Sequence, residues 1–275
     1  MQYFSPHSKE LFLSKTSTIG FFIKGLRLNE YTVFTNAPIV EALLDIRVEL
    51  PEKIILKMLE EFHEKVKERF PEKQQRISFQ AGVKVSSEGT AAALPTSGGI
   101  DGYFFKSSQE KKMVQARLDG FTFNKLKPYQ TWEIFRDEAR ELWDLYFQTT
   151  NPVRISRIAL RYINRIEIPL PMKDFKEYIL TTPEIAPKLP QVLNQFFMQL
   201  VIPNPDIQTT AIINQTMGNP TENQRLPLIF DIDVFQNRTY MENKVEMWNE
   251  FEKLRIFKNE IFFNSITDKA KELFQ

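Results

Sequence analysis

Apolar and polar residues alternate with a period of two through residues 39–50, which predicts a half-buried strand. Val40, Leu44, Ile46, Val48 and Leu50 point one way; Glu41, Asp45, Arg47 and Glu49 point the other. The period then lengthens. Ile54, Ile55, Met58, Leu59, Phe62 and Val66 recur at helical spacing, with Pro51 suited to the first turn and Pro71 beyond the end. Residues 77–85 alternate as another strand, and residues 88–102, with an alanine run and four glycines, read as a flexible loop. Residues 103–106 and 112–123 read as a hairpin turning at 107–111. Residues 129–148 form a second amphipathic helix, with Trp132, Phe135, Ala139, Leu142, Trp143 and Phe147 on its apolar side.

The pattern restarts at Val153. Ile158, Leu160, Tyr162, Ile166 and Ile168 share one strand face, and Arg157, Arg161, Arg165 and Glu167 the other. Residues 171–180 and 189–200 read as short helices split by Pro183, Pro187 and Pro190. Residues 207–216 and 228–235 read as strands around a polar loop at 214–227, and residues 242–263 as a long closing helix. Ser265 and Asp268 have capping spacing for a last short helix.

The two halves echo one another. Arg47-Val48-Glu49-Leu50-Pro51 returns as Arg165-Ile166-Glu167-Ile168-Pro169. Trp132 and Phe135, followed by Phe147, return as Trp248 and Phe251, followed by Phe263. Residues 119–123 have a looser echo at 231–235. The offsets of 118, 116 and 112 residues keep their order, as an internal repeat would. The expected fold is α+β, in two pseudo-repeated halves, residues 36–150 and 151–275. Each half is an antiparallel sheet with helices packed on one face, and residues 1–35 precede them as an N-terminal extension. One sheet continuous across both halves is the alternative left open.

Composition narrows the chemistry. The 275 residues include 42% hydrophobic and 26% charged residues, a globular balance, and 24 Phe residues imply a core rich in rings. A net charge of +1 gives no global pull toward nucleic acid, so that partner stays open but is not favoured. The absence of cysteine excludes disulfides, thiolate metal sites and a cysteine nucleophile, and fits a cytoplasmic setting. His7 and His63 are the only histidines; His63 sits mid-helix among charges and reads as a solvated helix residue. No stretch approaches the ~20 apolar residues of a membrane span, and no signal peptide is evident.

The candidate chemistry lies on strands. Asp231 and Asp233 are two apart, so both carboxylates leave one sheet face, where they suit a divalent metal or an acid–base pair. Arg157, Arg161 and Arg165 form a row able to grip phosphate or carboxylate; Glu41, Asp45 and Arg47 form another, and Arg117 with Asp119 a fourth. The plainer expectation is that these rows neutralise one another as cross-strand ion pairs. Asn164 falls in the apolar phase of its strand and is expected to bond a backbone group. The glycine-containing loop at 89–99 lacks the Gly-Lys-Ser/Thr ending of a phosphate loop.

Residues 36–50 resemble the opening signature of a sporadically distributed prokaryotic family, with Ala37-Pro38-Ile39-Val40-Glu41-Ala42 at its heart. Residues 161–169, containing Arg161-Tyr162-Ile163-Asn164-Arg165-Ile166, resemble its central signature, and residues 228–234 and 254–268 its C-terminal pair. The resemblance spans residues 36–275 and carries over no assigned activity, functional residue or cofactor. Patchy distribution suggests mobile genes of the kind that serve phage defence or toxin–antitoxin modules. The expected function is thus a non-enzymatic binding or regulatory protein whose charged face holds a protein partner, a product of a neighbouring gene among the candidates, with homo-oligomer formation open. The alternatives are a metal-dependent enzyme acting on a phosphorylated or nucleic-acid substrate, or a nucleotide or RNA sensor.

Overall fold

The computed structural model describes residues 31–80, 83–85, 91–93, 97–240 and 244–275. The chain is α+β. Its elements in order are β1 (Ile39–Glu49), α1 (Leu56–Val66), β2 (Glu72–Gln80), β3 (Val83–Val85), β4 (Ala91–Ala93), β5 (Ser97–Ser107), β6 (Lys112–Arg117), β7 (Gly120–Leu126), α2 (Trp132–Thr150), β8 (Arg154–Pro169), β9 (Phe197–Asn204), β10 (Thr209–Met217), β11 (Arg225–Gln236), α3 (Lys244–Ser265) and α4 (Asp268–Glu272).

Nine strands form one antiparallel sheet in the order β2-β5-β6-β7-β1-β8-β11-β10-β9, with β3 and β4 pairing separately. This corrects the expectation of two sheets, one per half. β1 and β8 would each be an edge in that arrangement; pairing them satisfies both rows of backbone groups.

Register fixes which side is which. Phe121 lies opposite Ile46, and Ile46 opposite Ile158; Phe123 lies opposite Leu44, Leu44 opposite Leu160, and Leu160 opposite Val234. All are fully or almost fully buried. The helices cover that face. Trp143 and Tyr146 of α2 pack on Phe121, Phe62 of α1 on Phe105, and Phe262 of α3 on Phe230. The alternate residues of every strand therefore project from the opposite face, which no helix covers among the described residues.

The local expectations divide by period. The strands starting at residues 39 and 153 and the three long helices form where the alternation and the helical spacing put them. Pro51 does not open α1, which starts at Leu56 after a turn closed by the Ile54 N–H on the Pro51 carbonyl. The strand expected from 77 begins at Glu72. Part of the loop expected at 88–102 lies outside the described residues; Ala91–Ala93 is a strand, and β5 already starts at Ser97. Residues 112–123 are two strands rather than one, broken before Gly120. A Cβ there would lie 2.4 Å from the Ile46 carbonyl, so only glycine lets the chain turn back this close to β1. The helices expected at 171–180 and 189–200 are absent: a single 3-10 turn spans Phe175–Glu177, and Phe197–Asn204 is a strand. Three prolines prevent helix continuation there, and Leu200-Val201-Ile202 prefers the pleat against β10. α4 is capped by Thr267, not Ser265. The expected extension lies largely in residues 1–30, outside the described residues.

Candidate functional site

The uncovered sheet face carries a groove of about 810 Å³ at its centre, where β1 meets β8. Its lining includes five arginines, Arg47, Arg76, Arg117, Arg157 and Arg161, and three aspartates, Asp45, Asp119 and Asp233. The alternation of β1 and β8 puts Asp45, Arg47, Arg157 and Arg161 here, because their apolar phase is committed to the helices, and Arg76, Arg117 and Asp233 come from β2, β6 and β11.

Asp45 is the hub. Its Oδ1 accepts from Arg117 Nη2 at 2.8 Å and from the Thr122 hydroxyl at 2.7 Å. Its Oδ2 accepts from Arg157 Nη1 at 3.1 Å and Arg47 Nε at 3.3 Å. Burial alone would raise its pKa, but Arg117, Arg47 and the donated hydrogen bonds hold the carboxyl below the usual carboxylate range.

Arg117 has a side chain only 3% exposed, the most enclosed cation of the groove. All three of its nitrogens donate, to Asp119 at 2.9 Å, Thr122 at 2.6 Å and Asp45 at 2.8 Å. Burial opposes its charge, and Asp45 and Asp119 more than restore it. The Tyr146 hydroxyl donates to the Arg117 carbonyl at 2.7 Å, tying the helix layer to the groove wall. Arg47 also pairs with Asp119, and Arg76 with Asp101.

On the β8–β11 side, Arg161 grips Asp231 with two bonds, Nε to Oδ1 at 2.8 Å and Nη2 to Oδ2 at 2.7 Å. Asn214 donates to Asp231 at 3.1 Å, and Gln199 to Asn214 at 2.8 Å, so a polar row crosses four strands from β8 to β9. Arg157 lies 3.5 Å from Asp233 and 4.6 Å from the Phe235 ring centroid. Asp233 is the least satisfied acid. Its buried Oδ1 has no hydrogen-bond partner among the described residues. Burial raises its pKa; Arg157 and Arg161 lower it, while Asp231 and Asp45 add to the rise.

Asp45, Arg47, Arg157, Arg161 and Asp233 thus converge on one groove. Glu41 lies on the same face, farther along β1, where it accepts from Asn124 at 2.7 Å. Asp231 adjoins the groove behind Arg161, and Arg165 lies beyond it, paired with Glu167. Asn164 projects to the helix side; its amide donates to the Phe230 carbonyl at 3.0 Å. A divalent ion at Asp231 would have to displace Arg161, and among the described residues no group of three or more His, Asp or Glu is placed to hold a metal. Arg76, Gln115 and Thr122 join the groove without a prior signal: β2, β6 and β7 are brought to β1's side by strand order alone. No helix among the described residues is long and apolar enough to cross a membrane.

No protein-family model and no curated protein matches this chain.

Proposed function

We propose that this chain is a non-enzymatic binding protein that holds an acidic segment of a partner protein in the arginine-lined groove. One observation carries the reading: Arg47 and Arg157 lie directly opposite each other in register on the groove floor, with one Asp45 oxygen between them. Like charges opposite one another in a sheet repel. A carboxylate entering from the open side relieves that repulsion and finds Arg161 beside it.

The lining favours a protein segment over a nucleic-acid backbone. Three aspartates among the five arginines repel a continuous run of phosphates, whereas a peptide carrying both signs can match both. Membership of the sporadic prokaryotic family, and with it a place in a phage-defence or toxin–antitoxin module, belongs to the same proposal. The strand order outward from β1 (β7, β6, β5, then β2) and from β8 (β11, β10, β9) supports the further reading of the halves as pseudo-repeats, with β2 an added strand of the first.

The test is native mass spectrometry of the protein expressed from its own genomic neighbourhood, beside the Arg157→Glu variant. A stoichiometric protein partner held by the natural chain and lost in R157E is the expected result. Co-purifying nucleotide or RNA, released as salt rises, would replace this reading with the sensor; a divalent-dependent thermal shift abolished by Asp231→Ala would favour the enzyme.

A further inference from the structure

The two edges of the sheet are built differently. β2 carries Glu72, Lys73 and Arg76, charges that discourage another strand from pairing there. β9, with the sequence Phe-Met-Gln-Leu-Val-Ile-Pro-Asn, carries no charge. Its outer side has no strand among the described residues. Phe197 is 69% exposed and Val201 60%, and Leu189 and Val192, in the segment leading into β9, are exposed as well. A long, uncharged, apolar edge is an unguarded template for another strand.

The sequence of this edge says which strand fits. Residues 196–202 read Phe-Phe-Met-Gln-Leu-Val-Ile, apolar on both sides of Gln199. An antiparallel copy centred on Gln199 places Phe197 opposite Val201, Met198 opposite Leu200 and Phe196 opposite Ile202, and the same pairs recur on the other side of the two-fold axis. Aromatic facing β-branched is among the favoured cross-strand pairs, and the one polar position meets itself, where two amides can hydrogen-bond. Pro203 is compatible, because proline is tolerated in a strand where its missing N–H faces away from the sheet. Backbone alternation then turns the N–H groups of Phe197, Gln199 and Val201 outward as well.

We propose that β9 is a homodimerisation edge, pairing antiparallel with β9 of a second copy about Gln199 and continuing the sheet through both molecules. The interface is isologous, so two identical chains close it and no filament grows.

Analytical ultracentrifugation of the full chain tests this, with three samples: the natural chain, Gln199→Lys and Gln199→Glu. The natural chain is expected to be a dimer at micromolar concentration. Each variant alone sets like charges face to face and should dissociate about tenfold more readily or worse, with an unchanged circular dichroism spectrum. Mixing Q199K with Q199E should restore the dimer, which a merely structural effect of either substitution would not do. A natural chain that stays monomeric throughout, as it would if residues 1–30 of the same chain covered the edge, overturns the proposal. So does a dimer that both variants leave intact. Neither result decides the groove proposal, because Gln199 is not part of the groove lining and reaches it only through Asn214 and Asp231.

Discussion

Arg47 of β1 and Arg157 of β8 face each other across the central strand pair, and the single oxygen Asp45 Oδ2 accepts from both, at 3.3 and 3.1 Å. At this point the join between the two halves of the chain is therefore polar on its open side and apolar on its helix side, where Ile46 meets Ile158 and Leu44 meets Leu160. The same strand pair builds the core and positions the groove.

Asp45→Asn should be among the most destabilising changes on this face. It leaves the enclosed Arg117 guanidinium facing a neutral amide oxygen in place of a carboxylate and removes the negative charge between Arg47 and Arg157. Breaking one partner of a buried pair costs about 3–5 kcal/mol, readable by urea denaturation. Because the folded carboxyl titrates below its unfolded value, its contribution is present above about pH 3.9 and is lost as pH falls through the folded value. The natural chain should lose stability in that acid range, and D45N should lose less.

Asp233→Asn should behave in the opposite way. Burial already disfavours the charge of this carboxyl, and its inner oxygen has no hydrogen-bond partner among the described residues. Removing the charge should cost less than about 1 kcal/mol. It should also strengthen binding of a glutamate-rich peptide interspersed with lysine by up to roughly tenfold, since Arg157 then shares its charge with Asp45 alone. Calorimetric titration of the two proteins with the same peptide measures the difference; weaker binding by D233N would contradict the groove assignment.

Gly120→Ala should disrupt the groove from the backbone side. The added Cβ would lie 2.4 Å from the Ile46 carbonyl and 2.8 Å from Arg117 Nη2, so β7 must move off β1 and the guanidinium must shift with it. A loss of about 2 kcal/mol or more in thermal or chemical unfolding is expected.

Lys258 offers a pH test away from the groove. It is buried on α3, its ammonium 4.0 Å from the Tyr162 ring centroid. Burial, with repulsion from Arg255, lowers its pKa to about 7. The neighbouring Tyr129 and Tyr162 hydroxyls, 2.7 Å apart, are pushed upward by burial and stay neutral. Unfolded lysine holds its proton to about pH 10.4. The unfolded chain thus binds more protons between about pH 7 and 10.4, and stability rises with pH through that window. Lys258→Met should flatten the rise and stabilise the protein below pH 7 by an amount on the order of a few kcal/mol. A slope in K258M equal to that of the natural chain would show that Lys258 is not its source.

Much of the site was legible as strand phase. The alternation in residues 39–50 and 153–169 assigns Asp45, Arg47, Arg157 and Arg161 to the non-core side, because a strand that buries one set of side chains must present the other. Asn164 was equally legible: in the apolar phase, its amide had to find a buried acceptor, and the Phe230 carbonyl is there. Arg117 was visible as a charge near Asp119, but nothing in the sequence marked it as the enclosed one. Its burial follows from Thr122 and Asp45 converging on it from two other strands. Residues 189–204 misled for a related reason: short apolar runs fit helix and strand alike until a partner strand is known.

The sequence by itself determined the α+β class, the phase of the central strands and the apolar sides of the long helices, since each is written in a period of two or 3.6 residues within one segment. Only the tertiary structure decided that β1 pairs with β8, that the halves share one sheet, and that Arg47 meets Arg157 over Asp45. Pairing joins residues more than a hundred positions apart. Any half-buried strand offers the same backbone groups to any other, so the choice among partners is made by how all the elements pack together.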